Sequence, residues 1–276
     1  MKIPVEHYLV EDAPFGDITS ETLVRGMRCV AGIHTREPGI IAGVEEASDL
    51  FTSLGLSVCS LVIDGTSVSA GALILEVEGE ATEILLAERT ALNIIGRMSG
   101  IATRTQKLVE RVRAIDPRCR VSCTRKTAPG LRLMDKKAVL LGGGESHRFS
   151  LSDMFLIKDN HLSLISLDEA INRVRARSSY HLIEVEVTTP SMAEEAARMG
   201  VHAVMLDNMS PSQVAKTIRL LEKTGLRESL VLEVSGGISE ANISAYAKLG
   251  VDVISMGSLT HSSPYLDVSL DVQERK

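Results

Sequence analysis

Two styles of α/β organisation divide these 276 residues. A mixed α+β part covers roughly the first hundred residues, and a parallel strand–helix part begins near Arg120. Three observations predict this. Early apolar runs are bounded by Gly and Pro without strict alternation with helices. Later β-branched runs each lead through a polar cluster into a helix-period segment. Hydrophobic residues at 44% and charged residues at 24% have the proportions of a globular protein.

Residues 1–24 are acidic and turn-rich, and Glu11-Asp12-Ala13-Pro14-Phe15-Gly16-Asp17 is expected to break any helix. Strands are predicted at Cys29–Ile33, Ser57–Ile63 and Leu73–Val77, with an amphipathic helix over Gly43–Leu54. A long helical stretch runs from Ala81 to Ile115, with a break expected at Ser99-Gly100. Six short strands follow, at Arg120–Cys123, Met154–Ile157, Leu182–Val187, Ala203–Leu206, Leu230–Val234 and Val253–Ser255. Helices are expected at Leu167–Arg177, Ser191–Met199, Pro211–Lys223 and Glu240–Leu249. Such alternation implies parallel pairing with helical crossovers, in either a closed barrel or an open doubly wound sheet.

Composition narrows the function. A net charge of −6, aromatics at 3% and no Trp argue against a broad nucleic-acid footprint or a base-stacking platform. No apolar run reaches the roughly 20 residues that span a bilayer, and the start at Met1 turns acidic by Glu6, unlike a signal peptide. Cys29, Cys59, Cys119 and Cys123 form no CxxC pair, so a zinc site or disulfide framework is not expected and a reducing cytoplasm is.

The chemistry stands where the six strands stop. Thr124-Arg125-Lys126-Thr127 follows the first and Lys158-Asp159-Asn160-His161 the second. Glu184 and Glu186 share one side of the third, since side chains alternate along a strand. Asp207-Asn208, Ser235-Gly236-Gly237 and Met256-Gly257-Ser258 end the others. Ligands of parallel α/β folds bind at carboxyl strand ends, so six polar clusters in succession point to one site.

Residues 120–161 hold eight Lys or Arg against four acids, an excess of four positive charges in an acidic chain. A local cationic window of this kind suits a small anionic substrate. Surface solvation accounts for Arg120, Lys136 and Lys137, but less well for Arg125, Lys126 and Lys158 at apolar strand ends. Gly142-Gly143-Gly144 and Ser235-Gly236-Gly237-Ile238 invite a phosphate reading. The second joins a strand to a helix expected near Ser239, with Gly257 beside it. Glu186 and Asp207 are oxygen ligands suited to Mg²⁺ held jointly with phosphates, or else partners of Lys158. His147 is an acid/base candidate or an orienting donor.

Taken together, Thr124–Arg132, Gly142–Gly144 with His147-Arg148, and Leu156–His161 resemble the quinolinate phosphoribosyltransferase family. Glu88–Asn93, Ser99–Thr103, Glu184–Val187, Leu206–Met209, Ser235–Ile238, Gly257–Ser262 and the N-terminal Glu11-Asp12 to Thr19 fit the same pattern. The resemblance implies an N-terminal α/β sandwich domain over 1–103, with the tail at about 263–276 packing on it. It also implies a C-terminal irregular α/β barrel of fewer than eight strands over 104–262. The implied reaction joins quinolinate to phosphoribosyl pyrophosphate with Mg²⁺, giving nicotinate mononucleotide, pyrophosphate and CO₂ for NAD synthesis. A cytoplasmic homodimer with shared active sites is implied, with higher assembly left open and neither nucleic acid nor membrane as partner.

By the same resemblance Arg125, Lys126, His147, Arg148 and Lys158 hold the quinolinate carboxylates and a neighbouring phosphate. Arg89 arrives from the partner subunit. Glu186 and Asp207 hold the ribose hydroxyls and metal, with Lys126, Glu186 and Asp207 as the catalytic set. Ser235, Gly236, Gly237 and Gly257 cradle the 5′-phosphate. Ser146, Ser150 and Val234 depart from the family's usual residues, and none of these removes a charged ligand. Two rivals stand beside this reading: a Schiff-base aldolase on Lys158, and a non-catalytic anion-binding protein.

Overall fold

The strand runs anticipated above form two separate sheets in the protein, a computed structural model that describes residues 5–273. Residues 1–4 and 274–276, the extremes of the predicted N-terminal segment and tail, lie outside the described residues. The chain divides into two compact units, one of residues 1–106, 129–143 and 262–276, the other of 107–128 and 144–261.

The first unit opens with α1 (Glu6–Asp12) and α2 (Ile18–Leu23), which flank the predicted breaker. Asp17 ends that breaker as a helix cap, accepting the Thr19 and Ser20 amides at 2.9 and 3.1 Å. Next come β1 (Arg28–Thr35), β2 (Gly39–Ile40), α3 (Val44–Ser53), β3 (Ser57–Ser60), β4 (Ser67–Val68) and β5 (Leu73–Glu80). The helix α4 (Ala81–Arg113) follows without interruption, its first part in this unit and residues 107–113 in the other.

The expected break at Ser99-Gly100 does not occur, and packing supplies the reason. Ser99 is fully buried, its Oγ accepting the Ala42 amide at 2.9 Å and donating to the Ala42 carbonyl at 3.1 Å. A Cβ on Gly100 would lie 1.8 Å from the Pro264 carbonyl oxygen. Both residues are small because backbone passes against them, which neither propensity nor periodicity reveals.

In the second unit lies β6 (Arg120–Ser122). Then α5 (Arg132–Leu141) returns to the first, where Lys137 Nζ reaches Glu45, Glu46 and Asp64 at 2.7, 2.7 and 3.1 Å. Lys137 is therefore an internal tie, and Lys136 is 2% exposed, so neither is the solvated charge expected. The second unit continues with β7 (Phe155–Ile157), α6 (Asp159–Leu162), α7 (Leu167–Arg177), β8 (Ile183–Val187), α8 (Pro190–Arg198), β9 (Ala203–Asp207) and α9 (Pro211–Lys223). It closes with β10 (Val231–Ser235), α10 (Ile243–Ala247), β11 (Val253–Ser255) and α11 (Ser258–His261). The tail strand β12 (Val268–Gln273) belongs to the first unit and pairs antiparallel with β1, Val30 opposite Gln273.

The first unit's main sheet is antiparallel in the order β12-β1-β5-β3, with β2 and β4 forming a small separate pair. The second sheet is parallel in the order β6-β11-β10-β9-β8-β7. Among the described residues no ladder joins β6 to β7. A parallel bridge between Ser122 and Glu145 instead sets the 144–148 segment against β6. In a parallel sheet every strand ends on the same edge, and this geometry gathers six carboxyl ends on one side.

Candidate active site

A cavity of about 520 Å³ lies at that edge and is lined from all six strand ends, Ser255 of β11 included. Thr124, Arg125 and Lys126 come from the segment after β6, His147 and Arg148 from the bridged segment, and Lys158 from the end of β7. Glu186 comes from β8, Asp207 and Asn208 from β9, and Ser235, Gly236 and Gly237 from β10. Eleven of the twelve residues singled out by sequence thus belong to one unit. Ten line the cavity directly, and Gly257 stands behind Lys126. Arg89 lies on α4 in the other unit and is not among the lining residues.

Local structure sets each group. The backbone after β6 is pinned where Thr260 Oγ1 donates to the Lys126 carbonyl at 2.8 Å and the Lys126 amide donates to Thr124 Oγ1 at 3.1 Å. A Cβ at Gly257 would approach Lys126 Cδ to 2.9 Å, so this glycine makes room for the lysine stem. Arg125 Nε is buried without a hydrogen-bond partner among the described residues, a donor oriented for an incoming acceptor. Arg148 is 8% exposed. Burial and then the neighbouring Arg125 charge push its guanidinium below the usual range, against the pull of Glu184, Asp153 and Glu186.

Opposite them stand the carboxylates. Glu186 Oε2 meets Lys158 Nζ in an ion pair. Of the two readings of Lys158 and Glu186, the mutual pairing is the one present here. Asp207 Oδ2 accepts from Asn208 Nδ2 at 2.7 Å. Asn208 sits at φ 53°, a left-handed conformation that Asn tolerates better than most residues. Its amide donates to the Ser235 carbonyl at 2.9 Å. A Cβ on Gly236 would come 2.4 Å from Asn208 Oδ1, so the β9 and β10 ends interlock through this glycine.

Two sequence expectations change here. Helix α10 starts at Ile243, later than Ser239, because Asn242 ties the intervening turn by accepting the Ser239 amide and donating to the Gly237 carbonyl. Any anion cradle at Gly236-Gly237 is thus made of turn amides, with Gly236 and Gly237 at φ 84° and 62°. Gly142 is a packing residue and no phosphate loop, since a Cβ there would lie 2.4 Å from the Ala102 carbonyl oxygen.

His147 is positioned differently from a simple cavity ligand. At φ 51°, it turns Nε2 to Glu184 Oε2 at 3.1 Å and Glu233 Oε2 at 3.5 Å. Burial would lower its pKa, but the two carboxylates outweigh that and hold it at about 10. Glu184 is itself pushed upward by burial, against the pull of His147. Glu233, Asn208 and Ser255 also line the cavity and were not picked out from sequence. For Glu233 a signal existed, an acid in the middle of the apolar run Leu230–Val234.

The first unit holds a second cavity of about 390 Å³ beside Tyr8, Arg97 and Tyr265. Its Arg97 is already bound in bidentate fashion to Asp135, at 2.8 and 2.9 Å, so it offers no comparable cationic wall.

The chain is similar to known proteins over nearly its whole length. Family models for the quinolinate phosphoribosyl transferase N-terminal and C-terminal domains match residues 17–99 and 101–271. A probable carboxylating nicotinate-nucleotide pyrophosphorylase of Methanothermobacter thermautotrophicus is 45% identical, covering 96% of each chain. The human carboxylating nicotinate-nucleotide pyrophosphorylase is 36% identical over 96% of this chain and 89% of its own. The solved nicotinate-nucleotide pyrophosphorylase of Francisella tularensis superposes with a TM-score of 0.90 at 38% identity, covering 98% of this chain and 94% of that one.

Proposed function

Because the chain belongs to the quinolinate phosphoribosyltransferase family, across both of that family's domains, we propose that the second unit's cavity is where its reaction occurs. The enzyme transfers the phosphoribosyl group of phosphoribosyl pyrophosphate to quinolinate with decarboxylation, in NAD biosynthesis. One observation carries the assignment of the site. Arg125, Lys126, Arg148 and Lys158 face Glu186, Asp207 and the Gly236-Gly237 turn around one cavity.

In this reading the cationic wall binds the two quinolinate carboxylates, Arg forks pairing with carboxylates and Lys adding point charge. The turn at Ser235–Gly237 binds the 5′-phosphate through backbone amides. As pyrophosphate departs, positive charge grows on the ribose C1, and Glu186 and Asp207 stabilise it. The ring nitrogen bonds to C1, which leaves a pyridinium. The electron pair of the breaking bond to the 2-carboxylate flows into that cationic ring, CO₂ leaves, and C2 takes up a proton. Positioning and charge matching supply the acceleration, with no covalent nucleophile. The Schiff-base alternative is disfavoured because Lys158 Nζ is already engaged by the Glu186 carboxylate.

The donor set fits Mg²⁺. Glu186 and Asp207 offer carboxylate oxygens from adjacent strands. Among the described residues no third ligand of the His, Cys, Asp or Glu type joins them in a cluster. That poverty suits a cation that takes most of its ligands from substrate phosphates and water. When bound it would neutralise the departing pyrophosphate.

The working unit is proposed as a homodimer in which the partner subunit's Arg89 completes the cavity. Exposed Val10, Phe15, Ile18, Leu23 and Met27 near the N-terminus support a covered surface there. Cytoplasmic residence is supported by four cysteines that form no disulfide. Labelled CO₂ should be released from carboxyl-labelled quinolinate only with phosphoribosyl pyrophosphate and Mg²⁺ both present. No release, or release without the pyrophosphate sugar, would remove the reading.

A further inference from the structure

Beneath the cationic wall lies a buried acidic pair that binding of substrate does not itself require. Glu184 on β8 and Glu233 on β10 are 1% and 3% exposed. Burying two carboxylates is costly unless each finds a partner. Ser255 Oγ donates to Glu233 Oε1, and His147 Nε2 stands 3.1 and 3.5 Å from the two acids. Neither Glu184 carboxylate oxygen has a hydrogen-bond partner among the described residues, so its contact with His147 is that of an ion pair. The strand pattern sets this up, since Glu184 and Glu186 face the same side of β8, one below the other. Glu186 reaches Lys158 while Glu184 reaches His147.

With Nε2 directed at the acids, Nδ1 is the ring nitrogen left for a ligand, and no partner stands at it among the described residues. His147 also lines the cavity. An imidazole that donates from Nε2 below and from Nδ1 to an anion above carries both protons. We propose that Glu184 and Glu233 are positioning residues that fix the His147 ring and keep it doubly protonated, so that it meets a quinolinate carboxylate as a cation. The inference rests on the reaction proposed above. The charged groups around the ring are Glu184 and Glu233 beneath it, Arg148 next along the chain with Arg125 beside that, and Glu186 further up β8. A divalent cation on the same three ligand atoms would stand close to the Arg148 guanidinium, whose like charge opposes it.

The test is a set of near-isosteric variants, Glu184→Gln and Glu233→Gln, each alone and combined with His147→Gln. Steady-state kinetics should show the quinolinate KM raised at least tenfold in each single variant, with the phosphoribosyl pyrophosphate KM within twofold of wild type. In the His147→Gln background the added Glu184→Gln should change the quinolinate KM by less than twofold, because its effect passes through the ring. Equal rises in both KM values, an unchanged quinolinate KM, or effects that multiply would each overturn the proposal. Should a variant fail to fold, the wild-type protein decides. Long-range proton–nitrogen NMR with labelled histidine at pH 8 should show both His147 nitrogens protonated, and a neutral ring would overturn it. Wild-type CO₂ release is scored separately, so failure of the reaction assignment is distinguishable from failure of this one.

Discussion

Arg125 concentrates the argument at the scale of single residues. Its Nε is buried with no hydrogen-bond partner among the described residues, and its neighbour Arg148 is pushed below the usual guanidinium range by burial and by that same Arg125 charge. Both groups stand to gain from an anion. Arg125→Ala should therefore raise the quinolinate KM at least tenfold or abolish turnover, while circular dichroism and the unfolding midpoint stay near wild type. Wild-type kinetics in that variant would remove Arg125 from the site. His147 makes a second residue-scale prediction. Its pKa is held at about 10 against an ordinary 6.5, so its ion pairing stabilises the fold fully below pH 6.5. That contribution falls away as pH rises through about 10. The urea midpoint of wild type should exceed that of His147→Gln most at pH 6.5 and converge towards it near pH 10.5. A gap that stays constant across that range would show that the ring's charge contributes nothing. The strand-end charges were legible in sequence because a polar cluster after an apolar run has few structural uses. Lys136 was not, since a buried charge in a polar stretch looks like any other until its surroundings are known.

Elements were legible where hydrophobic pattern alone decides them. The six parallel strands and the helices α7, α8 and α9 follow from runs of β-branched residues and 3.6-residue periodicity. The two-residue strands β2 and β4 and the tail strand β12 were not, because their pairing depends on tertiary neighbours. The supposed break in α4 failed for the same reason, a glycine read as punctuation being in fact a point of close approach. Gly100→Ala would improve helix propensity by roughly 1 kcal/mol if the site were open. With its Cβ 1.8 Å from the Pro264 carbonyl oxygen, the change should instead destabilise by about 1–3 kcal/mol, read as a lower urea midpoint. A stabilised variant would mean that the 262–266 backbone yields freely. By contrast Ser210→Ala, which removes the α9 capping box with Gln213, should cost about 1 kcal/mol in the same assay.

At the scale of the whole molecule, Arg89 is the proposed site residue that its own subunit's cavity does not include. Arg89 lies on α4 in the first unit and does not line the site, yet it belongs to the matched N-terminal domain. Exposed Phe15, at 95%, and its apolar neighbours are the surface on which the proposed dimer would close. A closed two-fold dimer repeats the same contact in both directions, so each subunit lends what it receives. Arg89→Ala and Arg125→Ala homodimers should then both be nearly inactive, each lacking one member of every site. Mixed by co-refolding, the two would form heterodimers in which one site regains both arginines and the other loses both. Random mixing makes about half the dimers mixed, so about a quarter of wild-type activity should return. If Arg89 served its own subunit's cavity, no mixed dimer would contain an intact site, and activity would stay at the level of the parents. Restored turnover thus separates a shared site from a self-contained one with no need to see the interface, and the count of intact sites sets the size of the signal.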